Sequence, residues 1–172
     1  MHGPSAVLQV FLSSQMRRDV LSEERVVARR AIEATEVSRC WSWEQYGVAG
    51  PFPPMDLCLD EVRRSDALVL VVGRELTDNT RAEYELAEEL GLPRAVFVKD
   101  GRQLRSAHKF LERIGSGVTY EKFRNPGELE AMVSRSLLMN MAYALRAQRG
   151  RPIIASSAPA AQAPYVPKRT AG

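Results

Sequence analysis

Three carboxylates stand where chemistry could start: Asp66 just ahead of an apolar run, and Asp78 and Glu83 in the polar segment after it. Glu83 belongs to Asp78-Asn-Thr-Arg-Ala-Glu83-Tyr-Glu-Leu-Ala87-Glu-Glu-Leu-Gly91-Leu-Pro93. Two readings of it are open. Thr80-x-x-Glu83 has the spacing of a capping box, in which the glutamate reaches back to the N-cap amide, and a first-turn carboxylate suits the helix dipole. Alternatively, a carboxylate near the start of a helix at a ligand crevice stabilises or captures a developing cation. No G-x-G-x-x-G follows the first apolar run and no Walker motif is present, so hydride and phosphoryl transfer lose their main support. Cys40 and Cys58 are isolated, with His2 and His108 far apart in sequence, so no metal site is expected and both thiols read as free.

The elements that must position these groups follow from periodicity. Ala6–Leu12 is a short apolar run that breaks at Ser13-Ser14 and predicts a buried strand. Helical spacing covers about Arg17 to Ala34, and Thr35 to Trp43 alternates as a second strand with Trp41 and Trp43 on one face. A turn-rich loop over 47–54 leads to a short helix over Met55–Arg64. Ala67–Gly73 is the most apolar strand and the expected sheet centre; a helix over Thr80–Leu90 stops at Gly91-Leu-Pro93. A strand over 95–99, a helix over 102–114, a strand over 118–123 and a long helix from Asn125-Pro126 to about Gln148 complete the series. Five alternations of strand and helix predict a three-layer, flavodoxin-like α/β fold with a five-stranded parallel sheet in the order 2-1-3-4-5.

In such a sheet, ligands bind beyond the carboxyl ends of the strands, at the switch point. That rule nominates Ser13, Ser14 and Gln15 after the first strand, Trp43 to Tyr46 after the second and Gly73 to Glu83 after the third. Ser13 and Ser14 are candidate contacts for a phosphate or a ribose hydroxyl, with turn formation as the plain alternative. Trp43 is a candidate stacking surface for a base, and Gly73 and Asp78 stand at the rim. Asp66 is either a ligand contact or an ordinary strand-initiating residue. Asp19, Glu24 and Arg25 read as a surface ion network, and Lys99-Asp100 as crevice rim. A glutamate at this place could meet the anomeric carbon of a bound ribose. A cationic base then departs neutral and one carboxylate suffices; a neutral base needs protonation by a second acid such as Asp78 or Asp66.

Val10-Phe-Leu-Ser-Ser-Gln-Met-Arg-Arg-Asp19-Val-Leu-Ser-Glu-Glu24-Arg25 resembles the start of a TIR-like family of unknown function. So do Cys58-Leu-Asp-Glu-Val-Arg-Arg-Ser-Asp66 with its following strand, and the segment from Thr80 to Pro93. That family, often N-terminal to STAND-type NTPases, is related to TIR domains and to nucleoside 2-deoxyribosyltransferases, and the resemblance covers roughly 6–145. In the transferases, the motif Glu-x-Gly-x-Ala with a later Gly-x-Pro carries the catalytic glutamate. Here Glu83, Ala87, Gly91 and Pro93 match, Glu85 replaces the motif glycine, and Asp78 fits a transferase aspartate with a one-residue offset. The resemblance implies Glu83 as catalytic carboxylate, Ser13 or Ser14 as ribose contacts and Asp66 and Asp78 at transferase aspartate positions; with Trp43 and Gly73 from the crevice rule, these are the candidate substrate contacts. It implies cleavage of NAD or a related nucleotide as substrate, with no added cofactor, in bacterial antiviral defence or signalling. The alternatives are a non-catalytic interaction or oligomerisation module, with the Leu and Met positions of 137–141 as a contact, and a nucleotide sensor.

Composition narrows the field further. The 172 residues carry 24 Lys+Arg against 21 Asp+Glu, a net charge of +3. Residues 151–172 hold Arg151, Lys168 and Arg169 and no acid, so 1–150 balances at 21 of each sign. The expected organisation is one domain over 1–150 and a flexible Pro/Ala-rich tail or linker over 151–172. No basic block unrelieved by acids occurs in 1–150, so no nucleic-acid partner is expected. No run nears the roughly 18 apolar residues of a membrane span, and no leader is recognisable. With two unpaired cysteines, a cytoplasmic location is expected, with self-association or a fused signalling partner.

Overall fold

The computed structural model describes residues 7–16, 20–47, 49–51 and 53–149. The tail over 151–172 and Asp19 lie outside the described residues. By the density of internal contacts the chain divides into a unit over Met1–Asn140 and a second over Met141–Gly172.

The first unit is built on β1 (Leu8–Ser14), β2 (Ser38–Trp41), β3 (Ala67–Val72), β4 (Arg94–Lys99) and β5 (Tyr120–Phe123). All neighbouring strands pair parallel, in the order β2-β1-β3-β4-β5. The helices are α1 (Ser22–Glu33), the single turn α2 (Trp43–Tyr46), α3 (Pro54–Arg64), α4 (Asp78–Glu89), α5 (Arg105–Ile114) and α6 (Pro126–Gln148). The expected fold class and strand order are therefore those of the structure.

The near-continuous apolar strands follow from burial on both faces. Val10, Leu12, Val69, Val71 and Phe97 point to one side and pack with Ala28 and Ile32 of α1 and Leu129 and Val133 of α6. Phe11, Leu68, Leu70, Val72 and Val98 point to the other and pack with Val62 of α3, Tyr84 of α4 and Phe110 of α5. Side-chain direction alternates along each strand, so Ser13, two residues beyond Phe11, points toward the layer of α3 and α4.

Three local expectations change. The second strand ends at Trp41, and Trp43 opens α2 instead of extending the strand; alternation in a four-residue stretch fits one helical turn as well as a strand end. The helix after β3 begins at Asp78, because Thr77 is its N-cap and accepts from the Thr80 amide at 3.2 Å. Thr80 is thus inside the helix and Glu83 lies beyond its first turn, so the two do not form a capping box. Glu24 and Arg25 are not a loose surface network either. Glu24 is buried and paired with Lys99, while the Arg25 Nη1 donates to the carbonyls of Gln15 (2.7 Å) and Val20 (2.8 Å).

Candidate functional site

The buried face of α4 repeats as Thr80, Glu83, Tyr84 and Ala87. That is the spacing of a core-facing helical stripe, with a carboxylate where an apolar residue would be ordinary. Glu83 is 8% exposed. Its Oε2 accepts from the Ser13 Oγ at 2.5 Å, and the Cys58 thiol of α3 donates to the same carboxylate. Burial dominates over these two donors and lifts the Glu83 carboxyl to about 7. The Cys58 thiol is pushed up to about 12, first by burial and then by the neighbouring Glu83 charge. This thiol is a proton donor to the carboxylate and a poor nucleophile.

Glu83 borders a cleft of about 780 Å³ beyond the carboxyl ends of β1, β2 and β3. The residues after β1 supply Ser14 and Gln15 to it, α2 supplies Trp43, and the segment from Glu75 to Thr80 closes the side below α4. Two polar atoms here are buried without a hydrogen-bond partner: the Ser14 Oγ and the Gln15 Oε1. Gln15 is 3% exposed and donates its Nε2 to Glu75, which also lines the cleft. Leaving such atoms unmet costs roughly 1–3 kcal/mol each, so they mark the place where a ligand's hydroxyl or amide groups would be welcome.

The aromatic wall is held from behind. Trp41 stacks on Phe11 with centroids 4.9 Å apart and 14° between planes. Trp43 is half-buried, and a Cβ on Gly47 would lie 2.6 Å from its Cε2. Only a glycine lets the backbone lie so close against that indole. Arg25, whose Nη1 ties the segment after β1, pairs through Nε with Glu44 of α2. One guanidinium thereby fixes both the serine side and the tryptophan side of the cleft.

Of the residues singled out from sequence, Ser13, Ser14, Trp43, Asp78 and Glu83 converge on this cleft, Ser13 through its bond to Glu83. Asp78 lies at the rim with its side chain 97% exposed and Arg81 at 3.6 Å. Asp66 is at the other end of the sheet, where its Oδ2 accepts from the Gln9 amide at 2.8 Å. Gly73 is buried just past β3, against Leu21, and does not line the cleft. Lys99 is engaged with Glu24. Gln15 and Glu75 lie in segments that the crevice rule nominated, after the first and third strands, though with no role of their own; Cys58 as a partner of Glu83 was missed. That cysteine was visible only as a free thiol. Among the described residues no cluster of His, Cys, Asp or Glu is arranged to hold a metal ion, and no helix is long and apolar enough to cross a membrane.

The model of one protein family, described as a domain of unknown function (DUF4062), matches residues 9–138. No curated protein matches the chain. Among solved structures, the solution structure of BlsM is similar at a TM-score of 0.59 and 16% identity, covering 89% of this chain and 100% of that one. A structure described as a flavone reductase aligns at a TM-score of 0.38 and 13% identity over 83% of this chain and 60% of its own, too distant to carry an argument. The likeness to BlsM is one of fold.

Proposed function

The chain belongs to the DUF4062 family, and for this member we propose N-glycosidic cleavage of NAD or a related nucleotide, with Glu83 as the catalytic carboxylate. The observation that carries the reading is the Glu83 carboxylate itself, gripped by Ser13 Oγ at 2.5 Å and facing the cleft at the switch point of the sheet. Breaking a ribose C1′–N bond places positive charge on C1′ and the ring oxygen. A fixed carboxylate in a partly water-excluded cleft stabilises that charge, or captures it as a glycosyl ester that water then hydrolyses. A carboxyl at about 7 is ionised in half the molecules near neutrality, and a cation beside it shifts the balance toward the ionised form.

The other groups fall into supporting roles. Ser13 orients Glu83, Ser14 and Gln15 offer unmet polar atoms to ribose hydroxyls, and Trp43 provides a stacking surface for the base. The setting that goes with this reading is the one the TIR-like resemblance implies, an effector of bacterial antiviral defence or signalling that acts inside the cell. A second reading, self-association through α6, has one observation in its favour: Leu138 and Met139 are exposed on that helix.

The test is incubation of the full chain with NAD and a panel of nucleotides and nucleosides, with released base separated by chromatography, beside Glu83→Gln. Base release by the natural chain that is lost in the variant supports the assignment. Release that survives the substitution, or no release from any substrate at high protein concentration, overturns it.

A further inference from the structure

We infer that Gln15 is the specificity-determining residue of the cleft: its side-chain oxygen takes a hydrogen bond from an N–H or O–H of the ligand and discriminates against a ligand that lacks this donor. The inference rests on the glycosidase reading for its ligand class, a nucleoside or nucleotide. It goes beyond that reading in naming the residue that selects and the group it selects for.

The first argument concerns orientation. Gln15 is 3% exposed, follows β1 directly and lines the cleft. Its Nε2 donates to Glu75. An ionised carboxylate accepts and cannot donate, so that contact alone turns the amide nitrogen toward Glu75 and leaves the oxygen at the other edge of the amide. The backbone is anchored as well. The Gln15 carbonyl accepts from the Arg25 Nη1 at 2.7 Å, and the Arg25 Nε pairs with Glu44 of α2. With side chain and main chain both held, the amide does not flip to suit an arriving ligand.

The second argument concerns what the oxygen lacks. The Gln15 Oε1 is buried without a hydrogen-bond partner. Gln9, at the other end of β1, shows the completed arrangement: its Nε2 donates to Glu61 at 3.0 Å, and its Oε1 accepts from the Arg39 Nη2 at 2.9 Å. Gln15 has the carboxylate but no counterpart of Arg39, and the described lining of the cleft contains no Lys or Arg. A donor on the ligand completes the set, and a ligand without one leaves the acceptor buried and unmet. The Ser14 hydroxyl is also unmet, but it gives or accepts equally. It tolerates either kind of group and leaves the choice to Gln15.

The third argument concerns position. Ser13 holds Glu83, where the glycosidase reading seats the anomeric carbon. Gln15, two residues on, is tied through Arg25 and Glu44 to the turn that carries Trp43. A ligand lying between Glu83 and Trp43 has two kinds of donor to offer: its sugar hydroxyls and an exocyclic amino group on its base. Both make the same hydrogen bond, and matched ligands separate them.

Binding to the full chain is measured by calorimetry, and again with Glu83→Gln so that turnover cannot consume the ligand. Adenosine is compared with purine riboside, and cytidine with the riboside of 2-pyrimidinone, each as nucleoside and as 5′-monophosphate. These pairs delete the exocyclic amino group and add no other donor; 2′-deoxyadenosine and 3′-deoxyadenosine each delete one hydroxyl. Removing the donor that Gln15 reads should weaken binding about tenfold. A loss in the amino pairs places the base at Gln15, and a loss in the deoxy series places the sugar there. In Gln15→Met, which keeps an unbranched side chain and drops the amide, the ratio should fall to near one. In the natural chain, the Gln15 side-chain carbonyl carbon, followed by NMR, should shift with the preferred ligand and not with its donor-lacking mate. Equal binding within every pair, the result expected of a water held at Gln15, overturns the inference. So does a preference that survives Gln15→Met, an unmoved carbonyl, or no binding of any of these ligands. Base release with no dependence on Gln15 leaves the glycosidase standing and removes only the selectivity. A donor preference that depends on Gln15, with no base release from any ligand, does the reverse.

Discussion

Glu83→Gln should make the protein more stable at pH 8 while abolishing base release. The reasoning starts from the carboxyl's rise from 4.5 to about 7, caused mainly by burial. Between those values the folded chain holds a proton that the unfolded chain has released. Stability therefore falls as pH rises from 4.5 to 7 and levels off above, which is the sign required when the native state binds more protons. At about 1.4 kcal/mol per unit, the loss is about 3 kcal/mol. Glutamine is neutral throughout and lacks this loss. The stability difference between variant and natural chain should thus grow by about 3 kcal/mol from pH 4 to pH 8, equivalent to roughly 6–12 °C in Tm for a chain of this size. Urea unfolding followed by circular dichroism at constant ionic strength measures it, and subtracting the two proteins cancels every other titrating group. Thr77 holds the helix cap, so no capping loss should offset the gain. A difference that stays flat with pH refutes the burial of an ionisable Glu83. A variant that is more stable but still releases base refutes its catalytic role.

Three further outcomes follow from neighbouring residues. Ser13→Ala removes a donor that lowers the Glu83 carboxyl, so the acidic limb of the kcat/KM profile should move to higher pH than in the natural chain; an unmoved limb would separate Ser13 from Glu83. Asp66→Ala should cost about 1 kcal/mol in urea unfolding by leaving the Gln9 amide without its carboxylate, with kcat/KM within about twofold; a large loss of turnover would return Asp66 to the site. Thr77→Ala should lower stability by about 1 kcal/mol, and Thr77→Ser should restore it; a neutral effect would mean the cap lies elsewhere.

What was legible in the sequence is what local pattern encodes. Ala67–Val72 reads as a central strand because both faces of β3 are covered, so no polar position interrupts it. The strand order followed from regular alternation of strand and helix over a chain of this length. The start of α4 was less legible: Thr77 and Thr80 both precede a helical run, and only the path of the chain from β3 decides that Thr77 is the cap. Trp43 failed for a related reason, since one turn of helix leaves no periodicity to detect. Long-range pairs were invisible. Ser13 meets Glu83 across 70 positions and Glu24 meets Lys99 across 75, and neither residue's flanks announce its partner. Gln15 and Glu75 fell within nominated segments but drew no role, because an amide and a carboxylate in polar loops look like solvent-facing residues until a cleft is built around them.

The two ends of β1 differ in how fully their polar groups are met. At the amino end of β1, Gln9 gives its Nε2 to Glu61 (3.0 Å) and Ser65 (3.2 Å), takes Arg39 on its Oε1 (2.9 Å), and gives its backbone amide to Asp66. Every group there is met by protein. Six residues on, past the carboxyl end of the strand, a second buried glutamine gives its Nε2 to Glu75 but leaves its Oε1 unmet, and the preceding residue, Ser14, leaves its hydroxyl unmet. Amide, hydroxyl and carboxylate occur at both ends, so composition does not explain the contrast. Folding alone would favour closing both clusters, because each orphaned atom costs roughly 1–3 kcal/mol. That cost is recovered when a ligand supplies the missing partners. The unmet amide oxygen needs a donor, and the serine hydroxyl can give or accept. A sugar with vicinal hydroxyls carries groups of both kinds, as does a base with an exocyclic amino group. The open hydrogen-bonding capacity of β1 thus lies at the end where Glu83 is held, which is what the proposed glycosidase requires.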